Sequence, residues 1–226
     1  MSFLFVEEIR MQTLNYSVPT EEALVMVDNL SRGFIESVDT IRFDIARNDQ
    51  QREAVYRLRC QVVIDRGWAK PGDFPDGMER DHYDEKAIHI VGWNGNNLVT
   101  TSRIVLPGAS LILPTEEAFN IQIEPHGQVA DMGRQIVARH YSSIKHKVFA
   151  ALLAKTWLEI RSRGYSLVCG DFSPAVMRLY RIMGFDVKQL APTQEFWGEE
   201  RAPVIVDIAK SMMALVERWG NKKFTD

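Results

Sequence analysis

Two apolar, β-branched runs, residues 88–93 and 98–106, are separated only by Asn94-Gly-Asn-Asn97. Asn and Gly accept the positive φ of a tight reversal, so this spacing predicts an antiparallel hairpin. Upstream, Ile41, Phe43 and Ile45 alternate with Arg42, Asp44 and Ala46, the period of a half-buried strand. A helix is expected over 50–66, with its inner face on Ala54, Leu58 and Val62. The polar stretch 70–86 reads as a loop. Downstream the pattern changes to strand–helix alternation. A strand over 128–137 leads into a long helix capped by Ser142 or Ser143 and stopped at Gly164. A short strand covers 166–169, Ser173 caps a helix ending at Met183-Gly184, and strands at 185–187 and 203–208 precede a last amphipathic helix over 208–219. Hairpins first and alternation second predict an α/β (α+β) chain: a mixed, mostly antiparallel central sheet flanked by helices.

The 226 residues suit one large domain with an appendage. Residues 39–226 are read as the domain and 1–38 as a helical extension. In the extension, Pro19-Thr20-Glu21-Glu22 is a good helix start, and Leu24, Val27, Leu30, Phe34 and Ile35 recur near helical spacing. The extension is expected to pack on the domain, or alternatively to act as a lid or docking arm. Net charge is −3, which argues against wholesale electrostatic binding to nucleic acid. Cys60 and Cys169 form no C-x-x-C pair, and two free thiols suit a reducing cytosol. The apolar start Met1–Val6 runs at once into Glu7 and Glu8, unlike a secretory signal, and no apolar run approaches a membrane span. A cytoplasmic protein is expected.

Three local features carry chemistry. Residues 132–158 contain no Asp or Glu but hold Arg134, Arg139, His140, Lys145, His146, Lys147 and Lys155. At a strand end and helix start, backbone N–H groups and the helix dipole also favour an anion, so a phosphate site is one reading and a solvated basic face the other. Glu79, Asp81, Asp84 and Glu85 cluster in the long loop. With Arg59, Arg66 and Arg103 they read as an ion-pair framework around a cleft or a site for a cationic amine, with Glu85 solvated. Tyr180 precedes Gly184-Phe185 and is either a core aromatic or a proton donor. His82, His89 and His126 lack metal-ligand spacing, so no metal is expected, and no G-x-S-x-G, Walker or G-x-G-x-x-G motif is present.

The strand order, the basic helix start after a mid-chain strand, and Tyr180-x-x-x-Gly184-Phe185 resemble the GCN5-related N-acyltransferase (GNAT) superfamily. Several segments resemble more specifically the LuxI-type autoinducer synthases and their relatives, the N-acyl amino acid synthases. Tyr56-Arg-Leu-Arg59 followed by Asp65-Arg-Gly-Trp68 is similar to the Arg…Gly-Trp signature of the family's first helix. Gly77-Met-Glu79-Arg-Asp81-His-Tyr83-Asp84 resembles its E-x-D-x-[FY]-D loop, Arg103 falls on the strand after the hairpin, and Asp131-Met-Gly-Arg134 resembles E-x-x-R. The resemblance covers about residues 40–208. Val63 stands where autoinducer synthases have Phe, Trp68 comes one residue early, Asp131 replaces Glu, and the 38-residue front extension is atypical of them. The GNAT pyrophosphate loop Q/R-x-x-G-x-G/A is missing, since residues 139–144 contain no Gly.

The resemblance implies transfer of a fatty acyl group from a thioester to a primary amine. The donor would be acyl-[acyl-carrier protein] (acyl-ACP) or acyl-coenzyme A (acyl-CoA), with the missing Gly-rich loop favouring the carrier protein, and no cofactor is expected to be tightly bound. The acceptor would be an amino acid, or S-adenosylmethionine if the product is an acyl-homoserine lactone. A non-enzymatic acyl-carrier-binding module is a further alternative. Asp131 or Glu79 is expected as the base, Arg103 and Arg134 as cleft-ordering groups, and Tyr180 as acid to the thiolate. Arg59, Asp81, Asp84 and Ser173 are expected at the substrate. A splayed strand near Gln135, Ile136 and Val137 would donate N–H groups to the oxyanion. Trp68, Phe149, Leu152 and Leu153 are candidates to line an acyl tunnel. Arg139, His140, Ser142, Ser143, Lys145 and Lys147 would face the phosphopantetheine or its carrier.

Overall fold

A computed structural model describes residues 21–219; Pro19 and Thr20, and the rest of the extension before Glu21, lie outside the described residues. In chain order the elements are α1 (Glu21–Glu36), β1 (Arg42–Ile45), α2 (Asp49–Asp65), β2 (Ile88–Asn94), β3 (Asn97–Val105), α3 (Pro114–Phe119), β4 (Val129–Val137), α4 (Lys145–Arg161), β5 (Leu167–Phe172), α5 (Pro174–Met183), β6 (Asp186–Gln189), β7 (Gln194–Phe196), β8 (Glu199–Asp207) and α6 (Ile208–Trp219). The sheet runs β1-β2-β3-β4-β5-β8-β6, with β7 hairpinned onto β8. Every pair is antiparallel except β4 with β5. This is the mixed sheet the sequence predicts. No helix among the described residues is long and apolar enough to cross a membrane.

Local chemistry sets most of these boundaries. The β2–β3 reversal is a two-residue turn with Gly95 at φ 57°, closed by the Asn94–Asn97 pair. Asn48 caps α2 by accepting the Gln51 N–H at 2.9 Å, and Gly184 ends α5 in the left-handed conformation. α1 packs against α4, burying Leu24, Val27 and Ser31 at i, i+3 and i+7.

Two expectations need correction, for α4 and β8, and one helix, α3, is additional. α4 starts at Lys145 with Ile144 in the capping position, after a 3-10 stretch over Arg139–Ile144, so neither Ser142 nor Ser143 occupies the cap. The chain is still tied to the sheet there, through Ala138 N–H to Val99 O at 2.8 Å and Tyr141 N–H to Ala138 O at 3.1 Å. α3 occupies a stretch with no helical period, started by Pro114 and by Glu116, whose carboxylate accepts the Leu113 and Ile123 N–H groups at 2.8 Å each. β8 begins at Glu199 rather than Pro203, because Trp197-Gly198 forms a tight turn with both φ positive, 54° and 68°.

Candidate active site

β4 departs from ladder geometry in two ways. Its register with β3 shifts between Thr101↔Ile136 and Arg103↔Gly133, so Arg134 and Gln135 both stand opposite Ser102, and Arg134 takes φ 53°. Such a bulge re-aims side chains. On its other edge, parallel pairing with β5 covers only Val129↔Leu167 to Asp131↔Cys169. Beyond that point β4 continues along β3 and β5 continues along β8, so the two strands part. Gly170 sits at the parting, where a Cβ would lie 2.7 Å from the Met132 carbonyl oxygen. The splay therefore begins at Met132, three residues before the expected Gln135–Val137.

On one face of β4 lies a lattice of three guanidiniums and three carboxylates. α2 brings Arg59, fully buried, whose Nε donates to Glu79 and whose Nη1 and Nη2 donate to Asp84 at 2.7 and 3.0 Å. Arg103, from β3, donates through Nη1 to both Asp81 oxygens at 2.7 Å and to Asp84 at 3.3 Å. Arg134 reaches Glu79 at 3.1 Å and Asp81 at 3.2 Å. Its guanidinium also lies over the Trp197 ring, 4.9 Å from the centroid, which packs that left-handed residue in place. Burial alone would raise the Asp84 carboxyl. The Arg59 hydrogen bonds and charge, then Arg103, hold it at about 2 instead. His89 approaches the Asp84 carbonyl oxygen at 3.1 Å, and burial lowers its affinity for a proton, so it stays neutral.

Beside the lattice is a small pocket of about 160 Å³, bordered by Asp81, Arg103, Asp131, Gly133, Arg134 and Phe196. Asp131 accepts the Thr115 N–H at 2.8 Å and the Cys169 thiol at 3.5 Å, both through Oδ2. Its Oδ1 is the atom nearest to where a Cβ on Gly133 would stand, at 3.9 Å. Burial pushes this carboxyl above the usual range, against Thr115 and Arg103.

The next residue of the strand, Met132, lines a different space. It borders an apolar cavity of about 450 Å³ enclosed by the sheet and by α1, α4, α5 and α6, with Leu153, Trp157, Tyr180 and Val206 also in its wall. Tyr180 is buried against Phe172 and Phe185, and its hydroxyl donates to Gln135 Oε1 at 3.0 Å, at the bulge. Burial keeps that phenol protonated. His146 and Lys147, at the start of α4, stand at the rim.

The structure thus brings Arg59, Glu79, Asp81, Asp84, Arg103, Arg134 and Asp131 together, and puts Gln135 and Tyr180 at the gap between the two spaces. Several expected residues lie elsewhere. Arg134 takes the place expected for Arg66, which instead stacks on Trp68 at 4.8 Å. Trp68 is flanked on its ring by Arg201, 4.9 Å away, and lines neither space. Phe149 and Leu152 pack in the core, so only Leu153 of the four tunnel candidates lines the cavity. Ser173 caps α5 and lines neither space. Ile136 accepts the Thr100 hydroxyl at 2.6 Å, and Val137 pairs with Thr100. Arg139, His140 and Lys145 are exposed, Glu85 is exposed as expected, and Ser142 and Ser143 lie in the 3-10 stretch. Sequence reasoning missed Met132, Thr115, Phe196 and the α1 residues on the cavity. The alternation of Asp131 and Met132 within one strand was the available signal for the first.

Residues 54–204 match the family model described as N-acyl amino acid synthase FeeM. Among curated proteins, none matches the chain. Solved structures of similar architecture include the AHL synthase LasI, with TM-score 0.60 and 18% identity over 78% of this chain and 95% of that one. FeeM, an N-acyl amino acid synthase from uncultured soil microbes, matches with TM-score 0.60 and 16% identity over 76% and 92%. BjaI, a CoA-dependent acyl-homoserine lactone synthase seen with SAM and isopentyl-CoA, matches with TM-score 0.55 and 19% identity over 74% and 81%. At these identities the likeness is one of fold, and the fold is GNAT-like.

Proposed function

We propose, on the premise that this chain belongs to the FeeM family of N-acyl amino acid synthases and is an acyltransferase, that it moves a fatty acyl group from acyl-[acyl-carrier protein] to the α-amine of an amino acid. One observation carries the reading: a pocket with a buried carboxylate and a large apolar cavity lie on opposite faces of β4, where it parts from β5. The acyl tail fills the apolar cavity. At about 450 Å³ against about 160 Å³ it is the larger of the two spaces, and its apolar lining suits a fatty chain. The thioester carbonyl then lies in the gap and the amine in the small pocket.

In this arrangement Asp131 accepts the amine's proton as nitrogen attacks the carbonyl carbon. Of the two sequence candidates it is the better base, because Glu79 is bound by two guanidiniums while burial makes Asp131 more basic. Backbone N–H groups of β4 where it parts from β5 would receive the oxyanion. The C–S bond breaks and the tetrahedral centre collapses to an amide; the departing sulfur accepts a hydrogen bond from the Tyr180 hydroxyl, and the proton taken up by Asp131 passes through water to the thiolate, restoring both side chains. Lys147 and His146 at the rim suit the single phosphate of a phosphopantetheine arm and an acidic carrier surface. Residues 139–144 offer no Gly-rich loop for a pyrophosphate, which is the reason to prefer the carrier over coenzyme A.

Mass spectrometry of lipid extracts from bacteria expressing the chain, beside an Asp131→Asn control, tests the reaction. An N-acyl amino acid absent from the control is the expected outcome and identifies the acceptor. An acyl-homoserine lactone would replace the amino acid by S-adenosylmethionine. No new amide from folded protein, either in cells or with purified acyl-carrier and acyl-CoA donors, would sink the assignment.

A further inference from the structure

The residues shared with the family end before the far wall of the apolar cavity. The family match spans residues 54–204, whereas α1 and α6 lie outside it and still close the space. α1 runs antiparallel to α4. Near its start Glu21 pairs with Arg161 at 2.6 Å, and Asp28 pairs with Arg161 at 3.6 Å and accepts the Trp157 indole N–H at 3.0 Å. At its other end Ser37 lines the cavity with His146 and Lys147. Exposure falls in the same direction. His146 is exposed and Lys147, Ser37 and Phe34 are half-buried, whereas Val27, Trp157 and Ile160 are 4%, 5% and 0% exposed. The cavity therefore has an open end at the start of α4 and a closed end where α1 crosses Trp157. Lys147 and Trp157 are ten residues apart on α4, ~15 Å along its axis at ~1.5 Å per residue.

We infer that α1 is the ruler of this enzyme: Val27, backed by the Asp28–Trp157 hydrogen bond, forms the floor that sets the longest acyl chain accepted. The inference rests on the acyl cavity assigned above and adds the residues that determine its depth. Val27 is small for a floor residue and touches the cavity directly. Asp28, beside it in sequence, fixes the Trp157 ring against rotation through the indole N–H. A terminal methyl that reaches this level meets closed packing, and an enlarged side chain at 27 raises the level. Leu30, one turn on and half-buried, sits higher in the same wall.

The test compares wild type with Val27→Phe and Leu30→Trp. Each is assayed for turnover with a panel of saturated thioesters of increasing length, and for binding of free fatty acids by displacement of a fluorescent probe, which needs no turnover. Val27→Phe is expected to shorten the best acyl length by about two to four carbons and to weaken binding of the longest chains at least ~10-fold, since each excluded methylene forfeits part of its transfer energy. Leu30→Trp, higher in the wall, is expected to shorten it further and holds the test open if Val27→Phe fails to fold. An unchanged length profile in either folded variant overturns the ruler. If wild type transfers no acyl group but the binding profile still shortens in the variants, acyl transfer falls and the ruler stands.

Discussion

The two faces of β4 are built on opposite plans. On the charged face the guanidiniums and carboxylates are paired: Arg59 with two acids, Arg103 with two, Arg134 with two, across segments more than fifty residues apart. On the apolar face the walls stand apart and leave a cavity of about 450 Å³. Desolvating ions costs several kcal/mol each and is offset only by near-ideal geometry, so the first face tolerates one arrangement. An apolar wall makes no directional demand, so the second can accept chains of different length and still exclude water. In the proposed reaction the carboxylate that meets the amine draws on the first plan, and the fatty tail on the second. Placing both on alternate residues of one strand puts Asp131 and Met132 within a single peptide unit of each other.

If this contrast is right, truncations on the two faces differ sharply. Arg59→Ala leaves Glu79 and Asp84 buried without their partner, and we expect a loss of ~3–5 kcal/mol in urea unfolding. Leu153→Ala, whose side chain already borders open space, is expected to cost ~1 kcal/mol or less, well below a Leu deletion in a filled core. The lattice also carries a pH signature. Asp84 falls to about 2 in the fold, so its contribution is fully present above the unfolded carboxylate pKa of ~3.9 and is lost as pH drops toward 2. Acid unfolding should therefore move to higher pH in Arg59→Ala and stay put in Leu153→Ala. Equal losses in the two variants would break the comparison.

The next test concerns the boundary between the faces. Asp131→Asn keeps the volume and an acceptor for Thr115 but removes the proposed base. We expect turnover to fall ~10³-fold with little change in folding, within the range for acid–base groups. In wild type, burial raises this carboxyl, and it must be ionised to accept a proton. The rate should accordingly decline on acidification, beginning at a pH above that of an ordinary aspartate, and this limb should vanish in Asp131→Asn. A wild-type rate flat down to pH 5 with a fully active Asp131→Asn would assign the proton transfer to another group.

The charged face was largely legible in the sequence and the apolar one was not, for a physical reason. Glu79, Asp81 and Asp84 occur within six residues, and the three arginines that meet them lie on one helix and two neighbouring strands. Opposite charges with nowhere else to go make such a cluster readable from spacing. The bulge that swings Arg134 into it depends on the β3–β4 register, which spacing does not show. The cavity is a space between α1, α4, α5, α6 and the sheet, and no local pattern encodes where facing helices stand apart. Trp68 shows the cost of guessing. An aromatic in the right segment looked like a tunnel wall, yet its ring lies beside Arg201, 133 positions along the chain. α3 was invisible because six residues begun by a proline carry no helical period, and its tie to the site is a backbone N–H, that of Thr115.

The smallest expected effect falls at the point where the two plans touch. Tyr180 belongs to the apolar face by its ring, packed 4.5 Å from Phe172 and 5.1 Å from Phe185 between centroids, and to the polar gap by its hydroxyl on Gln135. Tyr180→Phe removes the hydroxyl and keeps the packing, so stability should drop by only ~1 kcal/mol, the usual net worth of a hydrogen bond. If the hydroxyl assists the departing sulfur, turnover should fall ~10²-fold. Burial keeps the phenol protonated, so it serves as a donor throughout the neutral range, and the alkaline limb of the rate should not report its ionisation. The deficit should also shrink with thioesters of more acidic thiols, which leave without help. An unchanged rate in Tyr180→Phe would return the residue to the core, and the gap would then hold a base on one side with no donor on the other.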